Sequence, residues 1–419
     1  MRILGIGSKV ELGDLYLSLL REGHEVRVFA GDPSYAGCFE GLLPKIDDWK
    51  AQLDWVGRDG VVLFERVGVG AQQDALRAQG YRVIGGSAVG DRLEYDRGFG
   101  QQTLRDAGLQ TAAGFNFATA AEAAEWLEAH PGRTVLKYHN NAKATFVGDH
   151  RDGRDVLFQL RRGPQGAVLL MPRLEGVEIG VGAYFDGQRF LRPACIDFEH
   201  KRFFNGERGE MTGEMGTLVA YPEQNRIFEA TLARIEKVFR TAGHVGYVNL
   251  NMIANEAGLW PLEFTCRFGN PGFAILAPLQ LEGWGDLFGR MLRGAETQFP
   301  ASPDWSLGIV LTVPPFPEEL PGAAPDADPP LFFHQDPADD ERGHYHLSDV
   351  RIEDGQMFAR RRTGYAMVVT GTGPTVDAAQ RAATARAQNV AAPNLRWRTD
   401  IGDRFRNGEG ERLRRLGWL

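Results

Sequence analysis

The sequence predicts an α/β protein of more than one domain, with an open parallel sheet near its N-terminus and a small α+β unit near its C-terminus. Three observations carry this. The first ninety residues alternate short apolar strands with helix-periodic segments, the middle of the chain turns to successive strands, and a proline-rich stretch precedes a last group of strands closed by a helix. At 419 residues the chain exceeds what one hydrophobic core supports, so two or three domains are expected, drawn here as 1–92, 93–302 and 303–419.

The elements follow in order. Arg2 to Gly7 is an apolar strand, Leu12 to Glu22 a helix, and Glu25 to Ala30 a β-branched and aromatic strand, which makes a βαβ pattern continued by strands at Gly60–Glu65 and Tyr81–Ile84 with a helix over Gln72–Gln79. The turn after the first strand carries Gly5 and Gly7, but Val10 stands where a dinucleotide fingerprint needs its third glycine; an ordinary strand-to-helix turn satisfies the same residues. A helical pattern covers Asp91–Ala107, and the apolar run Thr134–Leu136 ends at Lys137. From Ala167 to Phe198 successive strands are expected, with Glu175-Gly176 and Asp186-Gly187 as hairpin turns. Asn225–Ala242 reads as one long amphipathic helix, followed by strands at Gly246–Ile253 and Gly258–Phe264. Pro314 to Pro330 is a loop, and Val376–Gln388 is the last clear helix.

Composition excludes several classes of function. The net charge is −8 and no polybasic block occurs, so neither nucleic acid nor an anionic membrane surface is an expected partner. No run of about 18 apolar residues is present, and the N-terminus shows no charged segment followed by an apolar one, so a cytoplasmic protein acting on small molecules is expected, as monomer or homodimer. Cys38, Cys195 and Cys266 are widely separated, the pattern of reduced core thiols rather than of a disulfide framework or zinc site.

Two polar clusters carry the chemistry. One runs from Asp197 to Gly216 and includes Glu199, His200, Lys201, Arg202, Glu207, Glu210, Thr212 and Glu214; the other is Glu263-Phe264-Thr265-Cys266-Arg267-Phe268-Gly269-Asn270-Pro271-Gly272. Strand alternation would put Glu263, Thr265 and Arg267 on one face. A carboxylate and a guanidinium side by side suit magnesium and a transferring phosphoryl group, and they also suit a solvated strand face. His344 and His346 share a face without a third ligand and read as packing or surface residues.

Glu199-His200-Lys201-Arg202, Thr212-Gly213-Glu214-Met215-Gly216 and Glu263 to Pro271 resemble, in order, the DHKR, TGGMG and EFNxRFGDP segments of phosphoribosylamine-glycine ligase, an ATP-grasp enzyme. Leu93-Glu94, Glu65, Lys137, Ser306-Leu307-Gly308 and Thr375 to Ala383 add weaker matches. The resemblance implies an ATP-grasp fold with an N-terminal α/β substrate domain and a small C-terminal α+β domain. It implies ATP and Mg2+ as cofactors, with Lys137 and Lys143 on phosphates and Glu178 on the ribose. Lys201 and Arg267 would be the catalytic cations, and Glu263, Thr265 and Asn251 the metal ligands. Gly7, Glu11, Glu65, Arg202, Thr212 and Gly213 would line the substrate.

Departures fall at substrate and nucleotide positions. The family's GGREHA loop is replaced by Gly7-Ser8-Lys9-Val10-Glu11-Leu12-Gly13, its glycine-rich ATP loop by His139 to Thr145, the Asn of EFN by Thr265, and the GDPE acids by Asn270 and Gly272. The expected function is therefore an ATP-dependent carboxylate-amine ligase working through an acyl phosphate on altered substrates. Glycinamide ribonucleotide synthesis and a non-catalytic nucleotide-binding role are the alternatives.

Overall fold

Why the first strands are largely apolar is plain from their surroundings. In the computed structural model, which describes residues 1–138, 145–294, 296–320 and 327–419, a five-stranded parallel sheet has the order Lys45–Ile46, Glu25–Ala30, Arg2–Gly7, Val61–Phe64, Arg82–Ile84. Alternate residues feed opposite cores: Ile3, Val61 and Leu63 pack with Leu15 and Leu19, while Leu4, Ile6, Val62 and Phe64 pack with Val56 and Leu76. A sheet covered on both faces keeps its central positions apolar and leaves charged residues to strand ends and outlying strands, as at Arg2, Glu25, Arg27, Lys45 and Arg82.

The chain divides into two units that interleave along the sequence. The larger holds residues 1–96, 178–251 and 264–419; the smaller holds 97–177 and 252–263. This differs from the linear three-part division, because the N-terminal sheet is fastened to later parts of the larger unit. Gly85 N–H donates to Val245 O at 2.8 Å, Asp14 accepts from Leu347 N–H, and Phe39 N–H donates to Val350 O at 2.6 Å.

An eight-stranded sheet dominates the larger unit, in the order Gly258–Thr265, Val245–Asn255, Val177–Asp186, Cys195–Glu199, Gly216–Ala220, Trp305–Thr312, Tyr365–Gly373, Tyr345–Leu347. The strands Val245–Asn255 and Gly258–Thr265 run on into the smaller unit. That unit has its own four-stranded antiparallel sheet, Phe115–Phe117, Val168–Pro172, Thr134–Tyr138, Thr145–Val147. Helices Ala120–Ala129 and Arg154–Arg162 close its core through Leu127, Val156 and Leu160 against Leu136, Val168 and Leu170.

Several sequence expectations need correcting. The Asn225–Ala242 helix is broken into Arg226–Ala230, a 3-10 turn Leu232–Ile235 and Glu236–Thr241, because Thr231 takes φ −130°, ψ −89° and its hydroxyl bonds back to Ile227 O. The Asp91–Ala107 pattern is two helices, Ala88–Tyr95 and Arg97–Asp106, interrupted where Asp96 adopts ψ 87°. Glu175-Gly176 is not a hairpin turn, since the strand before it pairs with Thr134–Tyr138 and Phe115–Phe117. Asp186-Gly187 is a tight turn as expected: Asp186 N–H donates to Arg189 O at 3.1 Å, Phe185 bridges Phe190, and Leu191 N–H donates to Tyr184 O at 2.8 Å, ahead of the antiparallel pair Val177–Asp186 with Cys195–Glu199.

Candidate active site

One face of the eight-stranded sheet is polar within the larger unit. Register puts Gly180 opposite Asp197, Val181 opposite Ile196 and Glu199 opposite Thr217, so Glu178, Gly180, Asp197, Glu199 and Thr217 share that face. Asn249 and Asn251 join it from the neighbouring strand: Asn249 Nδ2 donates to Asp197 Oδ2 at 2.6 Å and Asn251 Nδ2 to Glu199 Oε2 at 3.0 Å. Gly180 is required here, because a Cβ would stand 2.1 Å from Asp197 Oδ1. The opposite face, with Val181, Ile196 and Phe198, is core.

Lys201 stands at the end of this face. Its ammonium lies 3.2 Å from Glu178 Oε1 and 3.0 Å from Glu199 Oε2. Acids outnumber the lysine: Asp197 is 5% exposed, and Glu214 accepts the Thr217 hydroxyl nearby. Burial, then repulsion from Glu199, pushes the Asp197 carboxyl up to about 7, while Asn249 and Lys201 pull the other way. Glu214 is raised well above the ordinary range by desolvation and by Glu199 and Asp197. Such a face can hold a cation between carboxylates or accept a proton near neutral pH.

The main chain around Lys201 is held from all sides. Thr212 donates both its N–H and its hydroxyl to Lys201 O at 2.8 Å, and Met215 N–H donates to His200 O at 2.7 Å. The TGEMG segment thus supports Lys201 through its backbone. His200 is buried and driven down to about 3 by desolvation and by Arg404 and Arg398, so it is a neutral structural ring. Arg202 gives its guanidinium to Gly209 O at 2.8 Å across the hairpin of strands Arg202–Phe204 and Arg208–Met211, and Gly213 is exposed.

Gly7, Glu11 and Glu65 come together in the N-terminal sheet. Glu65 is 1% exposed at the end of the strand Val61–Phe64, and its Oε2 accepts Glu11 N–H at 2.8 Å. A Cβ on Gly7 would lie 2.1 Å from that oxygen. Desolvation, with Glu11 adding repulsion, raises Glu65 to about 8. A shallow cavity of about 540 Å³ opens beside this turn, lined by Gly7, Ser8, Asp32, Trp49, Arg66 and Gln72 among others.

Other sequence-derived residues are more dispersed. The strand ends at Thr265, so Arg267 does not continue the Glu263–Thr265 alternation: Cys266 N–H turns to Glu94 Oε2 at 2.9 Å, and Arg267 Nε sits 3.3 Å from Glu94 Oε1. Glu94, the residue of the weak Leu93-Glu94 match, is the buried partner that fixes Arg267. Glu263 is half exposed and lies 3.6 Å from Arg97, both in the smaller unit. Lys137 is on the strand Thr134–Tyr138 of that unit, opposite Thr145 and Leu169. Lys143, with the rest of 139–144, lies outside the described residues. Among the described residues no group of three or more His, Cys, Asp or Glu side chains is arranged to hold a metal ion. The three cysteines are buried free thiols, and His346 is a packing residue bonded to Asp14 at 2.9 Å and to Thr370. Asn249 was missed as a candidate; its signal was the alternation Asn249, Asn251 in an otherwise apolar strand.

Residues 95–273 match the family model for the ATP-grasp (A) domain of phosphoribosylglycinamide synthetase. The chain as a whole has the ATP-grasp fold. Over 222 residues, 49% of this chain and 52% of the relative, it is 30% identical to the phosphoribosylamine-glycine ligase of a Nostoc species, so that match spans about half of the relative's length. Over 436 residues it is 24% identical to the phosphoribosylamine-glycine ligase of Neisseria meningitidis serogroup B, covering 97% of this chain and 100% of that one. The crystal structure of phosphoribosylamine-glycine ligase from Thermotoga maritima superposes with a TM-score of 0.71 at 19% identity, over 96% of this chain and 100% of that chain. N5-carboxyaminoimidazole ribonucleotide synthetase from the same organism gives 0.60 at 14% identity, over 93% and 99%. The ATP-grasp fold expected from the three motifs is thus the fold of this chain. Among its described residues no helix is long and apolar enough to cross a membrane.

Proposed function

We propose that this ATP-grasp protein joins a carboxylate to an amine at the expense of ATP, on substrates other than glycine and phosphoribosylamine. The carboxylate would take the terminal phosphoryl group, releasing ADP, and the amine would then displace phosphate to leave an amide. The observation that carries this reading is Lys201 held between Glu178 and Glu199 on a polar sheet face, at the position where the family motif puts its lysine.

Lys201 and Arg267 are the proposed catalytic cations, each already aligned by carboxylates, as charge neutralisation in phosphoryl transfer requires. Lys137 and Lys143 are the proposed phosphate contacts and Glu178 the ribose contact. Glu263, Thr265 and Asn251 are the proposed magnesium ligands, a carboxylate, a hydroxyl and an amide of the hard oxygen type that the ion prefers. Bound there, the ion would offset phosphate charge. Gly7, Glu11 and Glu65 support a substrate role through the N-terminal turn they build together.

An altered substrate is favoured by Glu214, a carboxylate where the family motif has glycine, beside Asp197 and Glu199. An acid-rich face suits a cationic amine better than a phosphorylated one. The second reading, phosphoribosylamine-glycine ligation, is favoured by the full-length match to the Neisseria enzyme. ADP and phosphate release with Mg-ATP across a panel of carboxylates and amines, with and without phosphoribosylamine, separates the two. Release needing glycine plus phosphoribosylamine supports the second reading, and release with another pair supports the first. ATP binding without release under any pairing leaves only a nucleotide-binding role.

A further inference from the structure

We propose that the segment Arg398–Arg404 is a clasp that positions Lys201, with Arg398 and Arg404 as its positioning residues. The inference rests on the reading of Lys201 as a reacting-centre cation, and it concerns residues that no family motif used above includes.

The geometry is a set of bonds to the backbone on both sides of Lys201. Arg404 Nη2 donates to Glu199 O at 2.7 Å, and Arg398 Nη1 donates to Arg202 O at 2.9 Å. Between them, Gly402 N–H reaches His200 Nε2 at 3.4 Å, while His200 Nδ1 lies 3.2 Å from Phe198 O. A ring that accepts at Nε2 donates at Nδ1, so one neutral tautomer satisfies both contacts. With Thr212 and Met215 on the two intervening carbonyls, every carbonyl from Glu199 to Arg202 accepts a hydrogen bond.

The clasp is itself locked. Arg398 is 1% exposed, yet its charge is met by both oxygens of Asp400, at 2.8 and 2.9 Å, and by Glu207 Oε1 at 2.6 Å. Asp400 also accepts Gly206 N–H at 2.8 Å, and Asn205 Nδ2 donates to Thr399 at 2.6 Å, so the hairpin after Lys201 is tied to the same segment. Gly402 has φ +88°, and a Cβ there would approach Leu307 to 2.9 Å, so the bend that aims its N–H at His200 requires glycine. A buried arginine satisfied on all sides is costly to disturb, and what it fixes is the path of the chain two residues from Asp400 and next to Lys201. A rigid backbone at Lys201 keeps its ammonium between Glu178 and Glu199 instead of sampling solvent.

The reactivity of the Lys201 amine tests this without needing the substrates. Competitive labelling of the full chain with acetic anhydride, read peptide by peptide, is expected to show Lys201 reacting about tenfold faster in Arg404→Met, the size of effect one charge-assisted hydrogen bond carries. Lys45 and Lys237 should keep their wild-type rates, and Arg404→Lys should fall between. Should Arg404→Met fail to fold, Asp400→Asn loosens Arg398 from the other side and is expected to raise Lys201 labelling in the same direction. Unchanged Lys201 labelling in the folded variants overturns the proposal. ADP release from Mg-ATP is the second readout: Arg404→Met should lower kcat with the KM for ATP within about twofold, and should do nothing further in a Lys201→Met background. Faster labelling in a protein that releases no ADP would uphold the clasp and defeat the ligase reading.

Discussion

Asp197 lies in a sheet face crowded with Glu199, Glu214, Lys201 and two asparagines, whereas Glu65 lies almost alone beneath the turn that follows the first strand. Both carboxyls hold their protons near neutral pH, one at about 7 and the other at about 8. Burial leads in both and repulsion from a neighbouring carboxylate comes second, Glu199 at Asp197 and Glu11 at Glu65, but the counterweights differ. At Asp197 they are the Asn249 amide and the Lys201 cation, whose charge a ligand could engage; at Glu65 they are the Tyr16 hydroxyl and the main-chain N–H groups of Glu11 and Leu12, which are fixed partners. The first region is therefore adjustable by what binds to it, and the second is built to hold a backbone turn.

The comparison breaks most visibly at Lys201. Lys201→Met removes the cation that the acids converge on and should cut ADP release about a thousandfold with little change in melting temperature. Loss under about tenfold would move the reacting centre elsewhere.

Glu65→Gln tests the structural side. A carboxyl raised from 4.5 to about 8 contributes stability that is fully present below pH 4.5 and lost as pH rises through 8. The denaturation midpoint of the wild type should fall across that window, and the glutamine variant should be flat there and more stable at pH 9. Gly7→Ala pushes a methyl group into the same carboxylate and should cost about 1–3 kcal/mol in chemical denaturation, with any loss of activity following the loss of fold. The smallest expected effect is at Asp197: the pH profile of ADP release should carry a limb near pH 7 set by the Asp197 carboxyl, lost in Asp197→Asn. A limb retained in the variant would mean that the adjustable carboxylate does not report on turnover.

Much of this was legible in the sequence because it is local. The βαβ alternation, the strand ending at Lys137, the two strands around Asn255 and the helix Val376–Asn389 follow from periodicity, and the three ordered motifs carried the fold. What was not legible depends on partners far away in the chain. Nothing near Arg267 signals that Glu94 ends its strand alternation, and nothing in Asn225–Ala242 signals that Thr231 breaks the helix. Nothing in the sequence around Arg398 signals its burial, which rests on Glu207, Asp400 and the Arg202 carbonyl converging on it. The interleaving of the two units was not legible for the same reason: periodicity carries no information on which strand neighbours which.

The bond between Asp14 and His346 spans 332 residues. On a ribosome adding roughly 5–20 residues per second, the first helix waits on the order of tens of seconds for that partner. The smaller unit, whose last piece ends at residue 263, is complete well before the larger one can close. Newly made chains therefore leave apolar residues of the N-terminal sheet and first helix without their later core partners while their middle is already folded. A nascent chain stalled shortly after residue 300 should be a better substrate for chaperones than either the shorter or the finished chain.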